Sequence, residues 1–347
     1  MSLIFADSFD HYNASDLGNK WSSASGAWTK VAGRFGGNAM GGGLGISAIF
    51  AGNFFKINFT AASTLVVGAA VNITAVAQVS DRFFKFKSGG TEQTGVTVNP
   101  DNTLSIIEAG TNILATSTIP IALGTFNYIE FSTTFANAIS AHTCQLKING
   151  QLAAEASAGA NTNPAGSTHA DSFSCIFPFF IPGDGAITFD DFYICNGSGS
   201  TNNSFLGDIS VTALFPNGNG AENDFINDAS NSTNNYSHIN ANPSNDGTTF
   251  VESSVPGNID LYTFGSLSFS GTVLSVQQVL QAEKSDSGAR TFAPVIRLSN
   301  TDYIGSATTP TTSYLFYSYP NDVRPSDSMA WTTTDVNNAQ YGIKLVS

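Results

Sequence analysis

Short runs of alternating apolar and polar residues recur along the whole chain. They are clearest in residues 54–59, 82–87, 127–135 and 143–148, and the mainly apolar run 186–195 resembles them in length. A period of two residues is typical of a strand with one buried face, whereas an amphipathic helix repeats about every 3.6 residues. Roughly a dozen such runs, separated by Gly, Asn and Pro about every 8–12 residues, predict antiparallel β-sandwiches.

Two local signals refine this pattern. Asn149-Gly150 follows the run 143–148 directly, and this pair favours a two-residue turn that leads into a return strand at Gln151. The one helix that the pattern indicates begins with Thr333 or Thr334 as a cap and continues to Ala339. We therefore expect helices to make up less than about 10% of the chain.

The length and one neutral stretch predict two domains. A chain of 347 residues exceeds the size at which a single core usually keeps growing. Residues 196–204 have the composition of a flexible connector, which predicts two antiparallel, jelly-roll-like β-sandwich domains at 1–200 and 201–347. Within the second, residues 217–247 are rich in Asn, Ser, Asp and Gly. They predict a long surface loop or a wrap between the domains, ordered mainly by contacts with other chains.

The charge balance removes one class of partner. The chain carries 13 basic and 26 acidic residues, a net charge of −13, and has no basic run. Binding to a phosphate backbone needs clustered Lys and Arg, so nucleic acid is excluded as a partner. Charged residues make up only 11%, against roughly a quarter in ordinary soluble domains. This neutral, lysine-poor surface favours packing against other copies of the chain.

The cysteines and the first residues carry further expectations. Cys144, Cys175 and Cys195 match no zinc or redox spacing and predict buried reduced thiols. The opening MSLIFADSFDHY has neither a basic region nor a long apolar run, which predicts the absence of a signal peptide. No stretch approaches the roughly 20 apolar residues of a membrane-spanning helix, so we expect no membrane partner.

Asp190-Asp191 is the best-placed acidic pair in the sequence. Adjacent residues of a regular strand face opposite sides, so the two carboxylates are not expected to act together on one substrate. One of them should point inward, against Phe189 or Phe192, and accept hydrogen bonds there. The alternative is a calcium site built from Asp190 or Asp191 with loop carbonyls, although calcium takes about six to eight oxygen ligands. No other metal or cofactor is predicted.

Several segments resemble known families. Residues 128–131, 144–151 and 187–194 resemble the back half of a laminin-G/concanavalin-A-like jelly roll, and residues 5–10 with Trp21 resemble its first strand. The continuation, at residues 194–199 and 202–209, resembles a connection in structural proteins of tailed bacteriophages. The C-terminal motifs resemble a module of those same proteins; they lie at residues 259–262, 285–290, 296–297, 301–303, 312–314 and 331–332.

The resemblance implies a virion structural protein that decorates or stabilises the head, or forms part of a fibre or tail. The implied partners are copies of itself, with a trimer expected by analogy, and major capsid or tail proteins. A host-surface carbohydrate-binding adhesin is the alternative, and a polysaccharide depolymerase ranks third.

The candidate chemistry favours a protein without enzymatic activity. Jelly-roll glycoside hydrolases use a Glu-x-Asp-x-x-Glu strand, which this sequence lacks, and it has no Gly-x-Ser-x-Gly elbow followed by a helix. No catalytic residue is therefore assigned. Tyr314, Phe316, Tyr317 and Tyr319 are candidates for stacking on sugars, but packing in the core or between subunits is the favoured interpretation.

Overall fold

The computed structural model describes residues 2–42, 53–76, 82–108, 112–136, 143–156, 167–177, 186–269 and 271–347. Strands account for 49% and helices for 6% of the described residues, and the sheets are antiparallel. The predicted all-β class is therefore confirmed. The chain forms two compact units, one of Met1–Asp10 with Ala14–Val211 and one of His11–Asn13 with Thr212–Ser347.

The described part of the first unit consists of two sheets. Its elements are β1 (Leu3–Asp7), α1 (Leu17–Lys20), β2 (Ser23–Ser25), β3 (Trp28–Ala32), β4 (Asn38–Gly42), β5 (Phe54–Ala62), β6 (Thr64–Ile73), β7 (Phe84–Ser88), β8 (Thr91–Val98), β9 (Leu104–Glu108), β10 (Ile113–Thr116), β11 (Phe126–Thr134), β12 (Thr143–Ile148), β13 (Gln151–Ala156), β14 (Ala170–Ile176) and β15 (Ile187–Asn196). The first sheet has the order β13-β12-β11-β6-β15-β4-β3, with β1 also paired to β15, and the second has the order β10-β9-β8-β7-β14-β5-β2.

Aromatic side chains join the two sheets into a sandwich. Phe189 of the first sheet meets Phe55 of the second with ring centroids 5.4 Å apart, and Phe131 meets Phe86 at 5.9 Å. Trp21 is 1% exposed, and its indole Nε1 donates to Asp7 Oδ2 at 2.8 Å, so its single polar atom is satisfied inside the core. Buried aromatic rings of this size dominate the energetics of a core.

The cysteines and the Asn-Gly turn agree with the sequence. All three cysteines lie in the described residues and are buried thiols, as predicted. Asn149 and Gly150 have φ values of 49° and 79°, and Ile148 pairs with Gln151 across them. Two consecutive left-handed residues make the hairpin turn that matches the twist of the flanking strands.

The described part of the second unit has one five-stranded sheet and two ribbons. Its elements are β16 (Pro216–Asn223), β17 (Ile226–Asn227), β18 (Val251–Glu252), β19 (Ile259–Phe264), β20 (Val276–Ala282), β21 (Phe292–Leu298), β22 (Thr301–Ile304), β23 (Leu315–Asn321), α2 (Thr333–Asn338) and β24 (Gln340–Leu345). The sheet has the order β16-β19-β24-β21-β22, and the ribbons are β17-β18 and β20-β23.

Helix α2 lies where the sequence predicts a helix, but its cap is one residue earlier. The Thr332 hydroxyl accepts from the Asp335 N–H at 3.1 Å, and Asp335 Oδ2 accepts from the Thr332 N–H at 3.0 Å. This reciprocal arrangement satisfies two of the N–H groups at the start of the helix. Neither α1 nor α2 is long and apolar enough to cross a membrane, nor is any other helix of the described residues.

The polar stretch 217–247 begins with strands and continues after Asn227 as a surface loop, as its composition predicts for most of its length. It contributes β16, β17 and a 3-10 turn at Asn235–His238. Asn227 and Asn235 are buried at 1% and 0% exposure. Asn227 Nδ2 donates to the Thr233 carbonyl at 3.0 Å, and Asn235 Nδ2 donates to the Phe225 carbonyl at 2.9 Å. Side-chain amides thus satisfy backbone carbonyls of this stretch with hydrogen bonds from the same chain.

Asn235 connects this stretch to the sheet. Its Nδ2 also donates to Asp260 Oδ2 at 2.7 Å, and the Tyr262 hydroxyl donates to the same oxygen at 2.7 Å. Burial raises the pKa of Asp260 to about 6, while these two hydrogen bonds lower it. A fully buried carboxyl group is therefore kept in place by two donors, one of which belongs to the polar stretch.

We predict that Asn235→Ala lowers the free energy of unfolding by about 1–3 kcal/mol, because it leaves the Phe225 carbonyl and Asp260 with one donor fewer in a buried position. Urea unfolding monitored by circular dichroism measures the change. Asn245→Ala is the matched control, since Asn245 is exposed. Equal stabilities for both variants would show that the buried amide has no special role.

Candidate functional site

Strand β15 contains a bulge at the acidic pair. Asp191 has φ +48°, and the register with β6 shifts between Asp190 and Tyr193. Phe189 and Phe192 both point into the sandwich, since they contact Phe55 and Phe173 of the second sheet. The two residues between them, Asp190 and Asp191, therefore both lie on the outer face of the first sheet. A bulge places two residues opposite one, which breaks the alternation of a regular strand.

The predicted arrangement of Asp190 and Asp191 on opposite faces is therefore wrong. The bulge lies where β15 changes its neighbour on one side: Phe189 pairs with Met40 of β4, and Phe192 pairs with Asp7 of β1. Aspartate tolerates the left-handed backbone that this change requires better than most residues do. Both side chains are buried, at 5% and 3% exposure.

The hairpin between β3 and β4, residues 33–37, fits between two carboxylates. Asp190 Oδ2 accepts from the Arg34 N–H at 2.8 Å, and Asp10 Oδ1 accepts from the Asn38 N–H at 2.6 Å. The Gly33 N–H donates to the Gly37 carbonyl at 2.9 Å and closes the loop. A Cβ atom on Gly37 would lie 2.5 Å from Asp10 Oδ1, so this close approach requires glycine.

Arg34 extends from this hairpin across the outer face. Its guanidinium pairs with Asp191 Oδ2 at 3.5 Å and with Asp208, and it donates to the Ile209 carbonyl at 3.3 Å. It also lies 5.3 Å from the centre of the Tyr128 ring. With a side chain only 16% exposed, Arg34 needs these partners, because an isolated buried charge is costly.

Residues 205–211, here called the covering segment, lie over the centre of this face. Phe205, Leu206 and Ile209 pack against the apolar cluster that includes Val66 and Tyr193. A Cβ atom at Gly68 would lie 2.1 Å from the Tyr193 ring, so the ring lies directly on the backbone of β6. Strand β6 is consequently buried on both faces, which explains its long apolar sequence.

Hydrogen bonds attach the covering segment at both ends. Glu130 Oε1 accepts from the Gly207 N–H at 2.8 Å and from the Tyr193 hydroxyl at 2.6 Å. Farther along, Asp191 Oδ1 accepts from the Val211 N–H at 2.7 Å. Glu130 is fully buried. Asp190, Asp191 and Glu130 thus accept hydrogen bonds from backbone N–H groups or from Arg34 of the first unit. Other residues of that unit cover all three.

Burial dominates the electrostatics of the cluster. It raises the pKa of Asp190 to about 7 from an ordinary 3.8, against the opposing effect of the Arg34 and Asp191 N–H groups. Burial also raises the pKa of Asp191, opposed by the Val211 N–H and the Arg34 guanidinium. The hydroxyl groups of Tyr128 and Tyr193 have pKa values well above the usual range for the same reason. Both tyrosines are therefore neutral at physiological pH.

The calcium candidates face donors of hydrogen bonds. Asp190 Oδ1 accepts from the Asp191 N–H at 2.8 Å, and the other three oxygens of the pair face Arg34 or Val211 as described above. N–H groups suit an anion and compete with a cation for these oxygens. Across the described ranges, no group of three or more His, Cys, Asp or Glu side chains is placed to hold a metal ion.

The other sequence candidates lie in the second unit. Tyr317 and Tyr319 point inward, with ring centroids 5.2 and 6.4 Å from that of Phe292, so this pair packs as the favoured interpretation predicts. Arg297 pairs with Asp302 at 2.5 Å and with Glu222 at 2.9 Å. These residues make contacts within the second unit.

Arg34 and Phe35 are the functional candidates that the sequence interpretation missed. Phe35 is 69% exposed, the highest fraction among the large apolar residues of the described chain. It lies beside Gly33, Gly36 and Gly37. An aromatic residue among glycines at the tip of a hairpin is a sequence signal that would have singled it out.

Comparisons with known proteins give only distant structural similarity. No protein-family model matches the chain, and no curated protein matches it. Among solved structures, the cellulose-induced protein Cip1 is 17% identical with a TM-score of 0.37, and 51% of this chain covers 91% of that one. Alginate lyase Aly36B is 12% identical with a TM-score of 0.39, over 53% and 91% of the two chains. The carbohydrate-binding module CBM66 from Bacillus subtilis is 10% identical with a TM-score of 0.30, over 50% and 92%.

We predict that Asp190 makes stability fall as the pH rises. Because its pKa in the folded chain is raised from 3.8 to about 7, the folded state binds more protons than the unfolded state in that window. The contribution of Asp190 to the free energy of unfolding is complete below pH 3.8 and is lost as the pH rises past about 7. Asp190→Asn should flatten the slope of unfolding free energy against pH there by up to about 1 kcal/mol per pH unit.

Urea unfolding at a series of pH values measures these slopes. Asp101→Asn is the matched control, because hydrogen bonds from Thr103 lower the pKa of the exposed Asp101 and its effect falls at more acidic pH. An identical slope in wild type and Asp190→Asn would contradict the assignment.

Proposed function

We propose that this chain is a non-catalytic structural protein of a tailed-bacteriophage particle, which joins the particle through contacts with copies of itself and with capsid or tail proteins. The observation that carries the proposal is the ribbon of β20 and β23. The order of the short motifs that resemble phage structural proteins supports the choice of particle.

The ribbon is long and carries no charge. Its seven register pairs run from Val276 with Asn321 to Ala282 with Leu315, and neither strand contains Asp, Glu, Lys or Arg. Within the part of the chain that the structure describes, no third strand pairs with it. Natural sheets protect their edges with lysine, proline, bulges or covering loops, since an open edge is a template for another strand. In this ribbon Pro320 lies opposite Gln277 near one end, and the other six register pairs contain neither lysine nor proline.

One face of the ribbon packs on the five-stranded sheet, and on the opposite face Phe316 lies 5.7 Å from the rings of His11 and Tyr12. Gln278 is 7% exposed, and its Nε2 donates to the Val295 carbonyl at 3.1 Å. Tyr317 and Tyr319 pack on the same side, as described above. A strand that is already fixed loses little entropy when a strand from another copy extends it, which favours association by strand addition.

The outer face of the first sheet supports the non-catalytic part of the proposal. Asp190, Asp191 and Glu130 are buried there and bonded to groups of their own unit, so this acidic cluster is not presented to a polymer. A depolymerase would need two carboxylates on either side of an accessible bond. A carbohydrate-binding adhesin stays the second candidate because of the exposed Phe35.

We predict that the purified chain sediments as an oligomer and that Val279→Lys shifts it toward the 36.3 kDa monomer. Val279 lies in the middle of β20, opposite Ser318 and on the other face from Tyr317, so the added charge opposes strand addition. Sedimentation velocity measures the mass. Val255→Lys, the same change at a position 56% exposed outside the strands, is the matched control and should remain oligomeric. A wild type that is monomeric at tens of micromolar would overturn the mode of assembly.

The place of the chain in a particle has its own test. In phage particles purified from the source of this sequence, a strong band of the chain supports a decoration protein. A few copies per particle support a receptor-binding tip. Absence of the chain would refute the structural role.

A further inference from the structure

The apolar side chain of Phe35 extends into solvent from the hairpin of residues 33–37. Phe35 is 69% exposed, and the Arg34 guanidinium carbon lies 4.6 Å from the centre of its ring. We propose that Phe35, together with Asp208, forms a binding site for a neutral glycan, in which one pyranose ring stacks on the exposed face of the phenyl group. This site does not depend on the assembly role proposed above.

The hairpin that carries Phe35, residues 33–37, is rigid because hydrogen bonds fix its backbone at both ends. Asp190 holds the Arg34 N–H, Asp10 holds the Asn38 N–H, and the Gly33–Gly37 hydrogen bond closes the loop, at the distances given above. Arg34 itself is fixed by Asp191 and the Ile209 carbonyl. The ring therefore keeps its position without a ligand, and little conformational entropy is lost on binding.

The Arg34 guanidinium covers one side of the Phe35 ring and so determines which side a ligand can contact. One face of Phe35 lies on the guanidinium, a favourable arrangement of charge and ring quadrupole. The other face is left as a flat, apolar surface. The axial C–H bonds of a glucopyranose ring form a surface of similar size, and they are attracted to the electron-rich face of an aromatic ring.

A polar group on the same guanidinium completes the site. Asp208 pairs with the Arg34 guanidinium, against which the Phe35 ring also lies, so the carboxylate and the ring share one support. Its side chain is 45% exposed, so it has acceptor capacity left for sugar hydroxyl groups. Pockets for small ligands commonly combine an apolar surface with a few polar groups of this kind.

Size and charge favour a neutral sugar over other ligands. A stable protein interface buries about 1,600 Å² in total, far more than one ring at a hairpin tip offers. A net charge of −13 and the Asp208 carboxylate oppose nucleic acids and anionic polysaccharides. A neutral pyranose needs only the area of one ring and one acceptor.

Affinity electrophoresis tests the site with the full chain. Native gels are cast with barley β-glucan or dextran, both neutral polymers of glucose, or with the polyanion alginate. We expect at least one of the neutral polymers to retard the wild type and alginate not to do so. Phe35→Ala should raise the dissociation constant about tenfold or more, and Phe35→Trp should retain binding because it keeps a ring.

Ile113→Ala is the control, since Ile113 is 53% exposed on β10 of the same unit and should leave the retardation unchanged. Unchanged melting temperatures show that the variants fold. The inference is overturned if neither neutral polymer retards the wild type, if alginate alone does, or if Phe35→Ala binds as well as wild type. Loss of oligomers in Phe35→Ala without a change in glycan binding would make Phe35 a protein contact and also overturn it. The outcomes that concern glycan binding do not bear on the Val279→Lys test.

Discussion

Arg34 and the carboxylates around it are the interaction on which the first unit depends. A guanidinium with a side chain 16% exposed lies between Asp191 at 4% and Asp208 at 45%. Removing charges from water costs several kcal/mol per ion, and mutual attraction offsets the cost only when the remaining donors and acceptors are also satisfied. Here they are satisfied by backbone groups of residues 33–37 and 205–211. The cluster therefore sets the position of both segments at once.

The bulge at Asp191 makes this cluster possible. In a regular strand only one of the two aspartates would reach the outer face, and Arg34 would have either the Asp190 contact to its N–H or the Asp191 contact to its guanidinium. The bulge brings both to one face and turns Phe192 back into the core. The two paired carboxylates, which invite a catalytic or calcium interpretation, are in this geometry a fixed anchor. The same anchor holds Phe35 in solvent.

The sequence predicts what depends on neighbouring residues and misses what depends on distant ones. The alternation in β12 and the Asn149-Gly150 turn are local, and the structure confirms them. Arg34 is 156 residues from Asp190, so no pattern along the chain shows that they meet. The bulge was missed because alternation was assumed to continue through Asp190-Asp191. A run of two acidic residues in an apolar strand, between Phe189 and Phe192, is itself a reason to expect a break in the period.

The polar stretch 217–247 shows how side-chain amides order a segment that has few apolar residues. Its lack of apolar side chains suggested that the ordering entropy, about 1–2 kcal/mol per residue, had no counterpart within the chain. Asn227 and Asn235 provide that counterpart by hydrogen bonding rather than by apolar burial. One asparagine side chain carries a carbonyl and two N–H groups, so it satisfies several backbone groups without a net charge. A chain with 11% charged residues can therefore fold polar segments while its surface stays neutral. In such a chain, exposed features that hydration alone does not explain, the ribbon edge and the Phe35 ring, are the places where function is best sought.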